Sequence, residues 1–283
     1  MTATLNPYIS KFDAGFDVER SSTYRMAIQL ALGGYSFAVF DGNDIITIEA
    51  YRSDSFTDWL DVQTALERTL ESKKKMLGKP FNSVACIIDD RTSVWVPNAL
   101  FDLDKAPTYL DFNFPMPNGT TVLHDSIPEA DCVNVYGIPQ LLINRLTDRW
   151  PHLSIKHAGS LFVSTVLEKK HEEDHAYVNV RNRDFDLVII KDGALAFVNN
   201  FRFNTKEDFA YFLLFALEQN HLTGQDLPVT FSGLILPESE IVDLCSRYIK
   251  TIDFVEKPEG LKTCEAFKEI PYQYYHLYYP LFR

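Results

Sequence analysis

Ala38-Val39-Phe40-Asp41-Gly42 and Ile189-Ile190-Lys191-Asp192-Gly193 are the two stretches on which the fold turns. Each is an apolar run that stops at Asp-Gly, and they stand at a shift of 151 residues. Asp-Gly between apolar runs is hairpin chemistry, because such residues accept the positive φ that matches strand twist. Before the first turn, Met26 to Leu32 is apolar, Gly33-Gly34 marks a tight turn, and Tyr35 to Phe40 follows. After Asp41-Gly42-Asn43-Asp44 comes Ile45 to Ile48, which completes an antiparallel three-strand meander. Phe56 to Leu77 then carries apolar residues at helical spacing, and Gly78-Lys79-Pro80 stops it. Val84 to Ile88 is a short continuous apolar run, as in a strand buried on both faces.

The second stretch has the same surroundings. Ala176 to Val180, Phe185 to Ile190 and Ala194 to Phe203 read as strands, and Thr205 with an acid three residues on opens a helix to about His221. Pro228 to Leu236 is a strand, Ser239 to Tyr248 a helix and Thr251 to Val255 a last strand. The shared order of elements is stronger evidence of a repeat than two matching residues. Between the units, Val94 to Val96 and Val133 to Tyr136 read as strands. Pro107, Pro115, Pro117 and Gly119 imply an irregular excursion. Pro139 opens a helix through Trp150, Leu153 to Lys156 returns as a strand, and Ser160 to His171 is a helix crossing to the second unit. The expected division is residues 1–160, with an irregular insertion near 100–130, and residues 161–283, with an aromatic tail.

The 283-residue chain is 46% hydrophobic and 23% charged, which permits a large packed core. Its net charge of −12 repels a phosphate backbone, so nucleic acid is not an expected partner. The best basic run, Lys73-Lys74-Lys75, stands at a helix end, where lysines complement the helix dipole. Cys86, Cys132, Cys245 and Cys264 form no C-x-x-C pair, and Cys86 and Cys132 lie in apolar runs, as buried thiols of a reducing compartment would. Met1 to Arg20 lacks the apolar segment of a signal peptide, and no apolar run approaches the about 18 residues of a membrane span. The expected location is the cytoplasm.

Two such units in tandem resemble the ribonuclease-H-like halves of the actin-like ATPase superfamily, which includes sugar kinases, chaperones and pilus-assembly proteins. More closely, and nearly end to end, the chain resembles a bacterial family of unknown function. Three segments carry that resemblance: Val94-Trp95-Val96-Pro97-Asn98-Ala99-Leu100-Phe101, Val135-Tyr136-Gly137-Ile138-Pro139, and Asn200-Phe201-Arg202-Phe203-Asn204-Thr205-Lys206-Glu207-Asp208-Phe209-Ala210-Tyr211. It implies an α/β fold class, with two tandem ribonuclease-H-like halves and mixed sheets. It implies no activity.

That superfamily holds ATP with an Asp-x-Gly hairpin turn in each half and a late Gly-Gly before a helix, where backbone N–H groups can approach phosphates. The matching places here read Gln29-Leu30-Ala31-Leu32-Gly33-Gly34, Asn179-Val180-Arg181-Asn182-Arg183-Asp184 and Phe231-Ser232-Gly233-Leu234. The first has glycines but no acid for Mg²⁺, the second has no glycine, and the third has one. Gly33, Gly34 and Gly233 are the candidate cofactor-binding residues, and no cofactor is expected. His171-Glu172-Glu173-Asp174-His175 spells H-E-x-x-H; on a helix His171 and His175 would share a face for Zn²⁺, with Glu172 as base. The charged run from Glu168 to Asp174 favours a solvated helix end instead. Asp89 and Asp90 follow a buried strand and read as turn caps, and His157 as a cap or core residue.

Tyr272-Gln273-Tyr274-Tyr275-His276-Leu277-Tyr278-Tyr279-Pro280-Leu281-Phe282 closes the chain. Its tyrosines, Tyr272, Tyr274, Tyr275, Tyr278 and Tyr279, either pack across the protein's own surface or form a partner surface. The helix from Phe209 to Leu217 is apolar on nearly every face and calls for cover by the sheet and by the other half or another chain, the other half being the simpler answer. The expected function is a non-catalytic binding or scaffold protein on a degenerate actin-like fold, with an unknown protein partner or a second copy. The alternatives are a nucleotide-binding ATPase or kinase and, more remotely, a zinc hydrolase through His171 and His175.

Overall fold

In the computed structural model, which describes residues 5–258, 261 and 265–282, the first meander gains an outer strand. Ile9–Phe12 (β1), Arg25–Ala31 (β2), Gly34–Asp41 (β3), Asp44–Arg52 (β4), Ser83–Asp89 (β5) and Ser154–His157 (β9) form one sheet, ordered β1-β4-β3-β2-β5-β9. The first four strands are antiparallel to their neighbours, and β5 and β9 are parallel additions. Trp59–Ser72 (α1), which Asp58 caps through the N–H groups of Leu60 and Asp61, leads through Lys74–Leu77 (α2) into β5. Lys73, between the two helices, does more than complement a dipole: its Nζ lies 2.7 Å from Glu49, whose carboxylate is buried on β4.

The insertion is more ordered than its prolines imply. Ser93–Pro97 (β6), Thr120–Ile127 (β7) and Cys132–Pro139 (β8) make a separate antiparallel sheet, with Ala106–Asp111 (α3) packed on it. Gln140–Arg149 (α4) follows β8 and covers the first sheet with α1.

Ala158–Leu167 (α5) leads to a second sheet of His175–Val180 (β10), Asp184–Lys191 (β11), Ala194–Arg202 (β12), Val229–Gly233 (β13) and Ile252–Phe254 (β14). Its order, β12-β11-β10-β13-β14, reproduces β4-β3-β2-β5-β9 strand for strand, with the same parallel and antiparallel senses. Lys206–Gln219 (α6), held by a capping box between Thr205 and Asp208, and Glu240–Cys245 (α7) cover its outer face. The two Asp-Gly turns lie in the same hairpin of each sheet but slip by one residue. Asp41 pairs with Asp44 across Gly42-Asn43, whereas Lys191 pairs with Ala194 across Asp192-Gly193. Only Gly42 has positive φ in the first turn, while Asp192 and Gly193 both do in the second (φ 52° and 75°).

The inner faces of both sheets close on one shared core. Ala27, Ala38 and Phe40 from the first sheet and Tyr177, Val188 and Ile190 from the second meet α5 and residues 265–282 between them. An apolar helix buried on nearly every side belongs in such a middle layer, and α5 is that helix. The helix singled out in the sequence, α6, is not. It buries Phe209, Ala210, Leu213, Ala216 and Leu217 against its own sheet and leaves Tyr211 and Phe215 exposed, so it is not covered on every side.

The tail is core. Tyr275, Leu277, Tyr278 and Leu281 are buried, and Tyr272, Tyr274 and Tyr279 are half-buried against the same cluster, so the proposed partner surface is internal. His276 is buried with them, its Nδ1 donating to the Gln273 carbonyl at 2.8 Å, and burial lowers its pKa to about 4. A histidine whose folded pKa lies below its unfolded value of 6.5 contributes stability above pH 6.5 that is lost as pH falls toward 4. Between pH 7 and pH 5 the loss from this residue should be about 2 kcal/mol. Urea unfolding of His276→Asn, which keeps the donor but cannot titrate, should show that much less decline over the interval. Among the described residues no helix is long and apolar enough to cross a membrane.

Candidate functional site

The ends of β2 and β10, the first residues after β5 and the last of β13 converge on one cavity of about 790 Å³ between the halves, walled by the tail and by the insertion loop around Met116. Strand ends at such a junction are where open α/β sheets present their ligands. All three stations singled out in the sequence reach it: Gly33-Gly34, Arg181-Asn182-Arg183-Asp184 and Gly233-Leu234.

The glycines there serve the chain itself. Gly34 pairs with Arg52 so closely that a Cβ would lie 2.4 Å from the Tyr51 carbonyl oxygen. Gly233, at φ 82°, presses on β10, where a Cβ would lie 2.1 Å from the Val180 oxygen. Gly33, at φ 103°, is the left-handed residue of its turn, and a Cβ on it would be 3.5 Å from the Asn182 side chain. The turns of the two halves therefore stand side by side at the cleft, Gly33 next to Asn182.

Behind those turns lies a buried ion cluster. Arg181 Nη1 donates to Asp89 Oδ1 at 3.0 Å and Nη2 to Asp186 Oδ1 at 2.7 Å. Gln29 Nε2 donates to the second Asp89 oxygen at 2.8 Å, and Asn179 Nδ2 to the second Asp186 oxygen at 3.2 Å. Arg181 and Asp186 belong to the second half and Asp89 to the first, so one guanidinium bridges the cleft. Its side chain is 9% exposed, and those of Asp89 and Asp186 10% and 8%. Burial pushes the Asp186 carboxyl up, against the pull of Arg181. Asp184, at the mouth of the cluster, is also pushed up by burial, and its Oδ1 has no hydrogen-bond partner among the described residues.

Asp89 is thus a charge partner and not the turn cap its sequence suggests. Asp90 does cap, accepting from the Arg91 N–H at 2.7 Å. His157 is both cap and core: 2% exposed, it accepts the Gly159 N–H at Nδ1 and donates from Nε2 to the Asp90 carbonyl at 2.8 Å. Burial, reinforced by the nearby Arg181, lowers its pKa and keeps that neutral tautomer. Its ring ties β5, β9 and α5 together. Asn134 of the insertion joins through Nδ1 at 3.0 Å and the Ser160 hydroxyl at 3.0 Å.

His171 and His175 are not on a helix. α5 ends at Leu167, and β10 begins at His175, so the i, i+4 geometry a zinc site needs does not form. His171 Nε2 donates to the Val166 carbonyl at 2.9 Å, and His175 Nε2 bonds the Thr230 hydroxyl at 2.8 Å. No group of three or more His, Cys, Asp or Glu able to hold a metal occurs among the described residues. Cys86, Cys132 and Cys245 are buried free thiols, and Cys264 lies outside the described residues. Sequence reasoning missed Arg181 as a site residue. The signal was there: an Arg and an Asp, five residues apart, flanking the turn in place of an Asp-x-Gly.

No curated protein matches the chain. Among solved structures, it is similar to a Bacteroides thetaiotaomicron protein with an actin-like ATPase fold and unknown function. The TM-score is 0.76 at 17% identity, over 85% of this chain and 93% of that one. It is also similar to a chain of the PilM–PilN type IV pilus biogenesis complex, at TM-score 0.57 and 10% identity, over 87% and 92%. The fold is accordingly that of the actin-like ATPases, in two tandem ribonuclease-H-like halves. With residues 13–252 matching its family model, the chain belongs to the family described as protein of unknown function DUF3822.

Proposed function

We propose that this protein is a non-catalytic binding or scaffold protein, a pseudo-ATPase that uses the actin-like fold to hold a protein partner in the cytoplasm. The observation that supports the reading best is the Arg181 bridge. A guanidinium bonded to Asp89 and Asp186 stands behind the second-half turn, so both carboxylates are already engaged by one buried cation and cannot serve Mg²⁺ without breaking a buried pair. The close approach of Gly33 to Asn182 points the same way. A duplicated domain, divided near residue 160, accounts for the matching strand orders. The similar PilM chain was solved in a complex with PilN, which fits a role in holding another protein.

Isothermal calorimetry with Mg-ATP tests the reading. The expected result is no binding heat at micromolar to millimolar nucleotide, and no phosphate release. Micromolar binding that is lost when Gly33 is changed to Val would replace it with the nucleotide-dependent alternative.

A further inference from the structure

Among the described residues, sheet edges are protected in ways that edges usually need, except at one place. β1 and β9 have four residues each and carry Lys11 and Lys156; β14 has three and carries Asp253. β6 ends at Pro97, and β7 carries His124 and Asp125. β12 is nine residues long, and its first eight, Ala194 to Phe201, include no charge, proline or glycine.

The other half shows what such an edge can accept. β4 occupies the place of β12, and β1 pairs antiparallel along it, Ile9 opposite Ala50 and Lys11 opposite Ile48. The flanking bonds run from the Tyr8 N–H to the Ala50 carbonyl at 2.9 Å and from the Asp13 N–H to the Ile46 carbonyl at 2.8 Å. By the matched registers of the two hairpins, Ile46, Ile48 and Ala50 correspond to Ala196, Val198 and Asn200. No strand covers those three among the described residues.

The parity of β12 is fixed. Phe203 donates to the Arg183 carbonyl at 3.0 Å, which makes that a hydrogen-bonded pair. Pairs alternate in an antiparallel ladder, so Phe201, Asn199 and Phe197 bond β11, while Val198 and Asn200 turn their backbone groups outward. Consistently, the Asn200 N–H is met only locally, by the Asn199 side chain at 2.9 Å.

We propose that the outer edge of β12 pairs antiparallel with the same strand of a second copy of this chain, about a two-fold axis at Asn199, to join two five-stranded sheets into one. This centre sets Val198 opposite Asn200 of the second copy, as hydrogen-bonded pairs on both sides of the axis. It also sets Phe197 opposite Phe201 in close, non-hydrogen-bonded pairs on the α6 face. Phe201 already stacks on Phe185 and Phe212, at 5.2 and 5.7 Å, so the cross-strand pair extends an existing aromatic row. Charge favours a copy here. A chain of net charge −12 repels itself over much of its surface, but this edge brings no like charges together, and Arg202 falls opposite Ala196. The proposal is independent of whether the cleft binds nucleotide.

Disulfide trapping tests the register. In the full chain with Cys264 changed to Ser, Asn199→Cys puts two thiols opposite each other in a non-hydrogen-bonded pair, where Cα atoms lie about 4.5 Å apart and a disulfide can close. Mild oxidation should convert it largely to a cross-linked dimer on a non-reducing gel. Asn200→Cys, which faces Val198, should cross-link about tenfold less under the same conditions. Val198→Pro removes an outward N–H that β11 does not use, so it should give a monomer in light scattering that still unfolds cooperatively in a circular dichroism melt. A wild-type protein that stays monomeric at all concentrations, an Asn199→Cys protein that does not cross-link, or a folded Val198→Pro protein that still dimerises would each overturn the proposal.

Discussion

Arg181→Met should lose about 3–5 kcal/mol of folding stability. Removing the guanidinium leaves Asp89 and Asp186 buried with only Gln29 and Asn179 to meet their charges. The cost is the unpaired carboxylates and not the loss of a favourable contact, since a buried ion pair roughly balances its own desolvation. Two measurements separate these causes. Adding Asp89→Asn and Asp186→Asn to Arg181→Met should restore most of the lost stability in urea unfolding. The deficit of the single variant should also shrink as pH falls from 7 to 5. Burial already raises the folded pKa of Asp186 above its unfolded value, and losing Arg181 raises it further. A group raised in the folded state takes up its proton on the folded chain first, so lowering pH favours folding of the variant relative to wild type. A deficit independent of pH would show that packing, and not charge, is what Arg181 supplies.

Deleting residues 272–283 should leave a chain that does not fold or that aggregates. The segment lays Tyr275, Leu277, Tyr278 and Leu281 into the core shared by the two sheets, and Phe40 takes its edge-on aromatic partners Tyr279 and Phe282 from it. Ser36 of the first sheet bonds the Tyr278 hydroxyl, and Gln273 donates to the Ile235 carbonyl of the second half at 3.2 Å, so the tail binds both halves. Emptying one such site is a milder form of the test: Tyr278→Ala should cost about 3–5 kcal/mol, as for other buried aromatics. Circular dichroism melts and sedimentation of both proteins give the result. A soluble truncation with a native melting temperature would return the tail to the surface.

Much of the fold is written locally. Gly33-Gly34, Asp41-Gly42 and Asp192-Gly193 set hairpins, because two-residue turns need the φ values that glycine and aspartate accept. Strands with alternating or continuous apolar runs and a helix opened by Thr205 follow from periods that neighbouring residues enforce. β1 was not legible, since Ile9–Phe12 is short, polar and an edge, and β7 was hidden among prolines and charges. The three stations around the cleft were legible as departures from a pattern, but their consequence was not.

What the sequence determined by itself is the order of elements within the two repeated units and the absence of acid-and-glycine turns at the places where the superfamily it resembles holds ATP. Only the tertiary structure decided that Arg181 reaches back to Asp89 across 92 residues of chain, that the tyrosine-rich tail is core, and that no strand among the described residues covers the outer edge of β12. The reason is physical. Turns and periodicities depend on residues a few positions apart, whereas a buried charge finds its partner, and an apolar surface its cover, only when distant segments share one low-dielectric space.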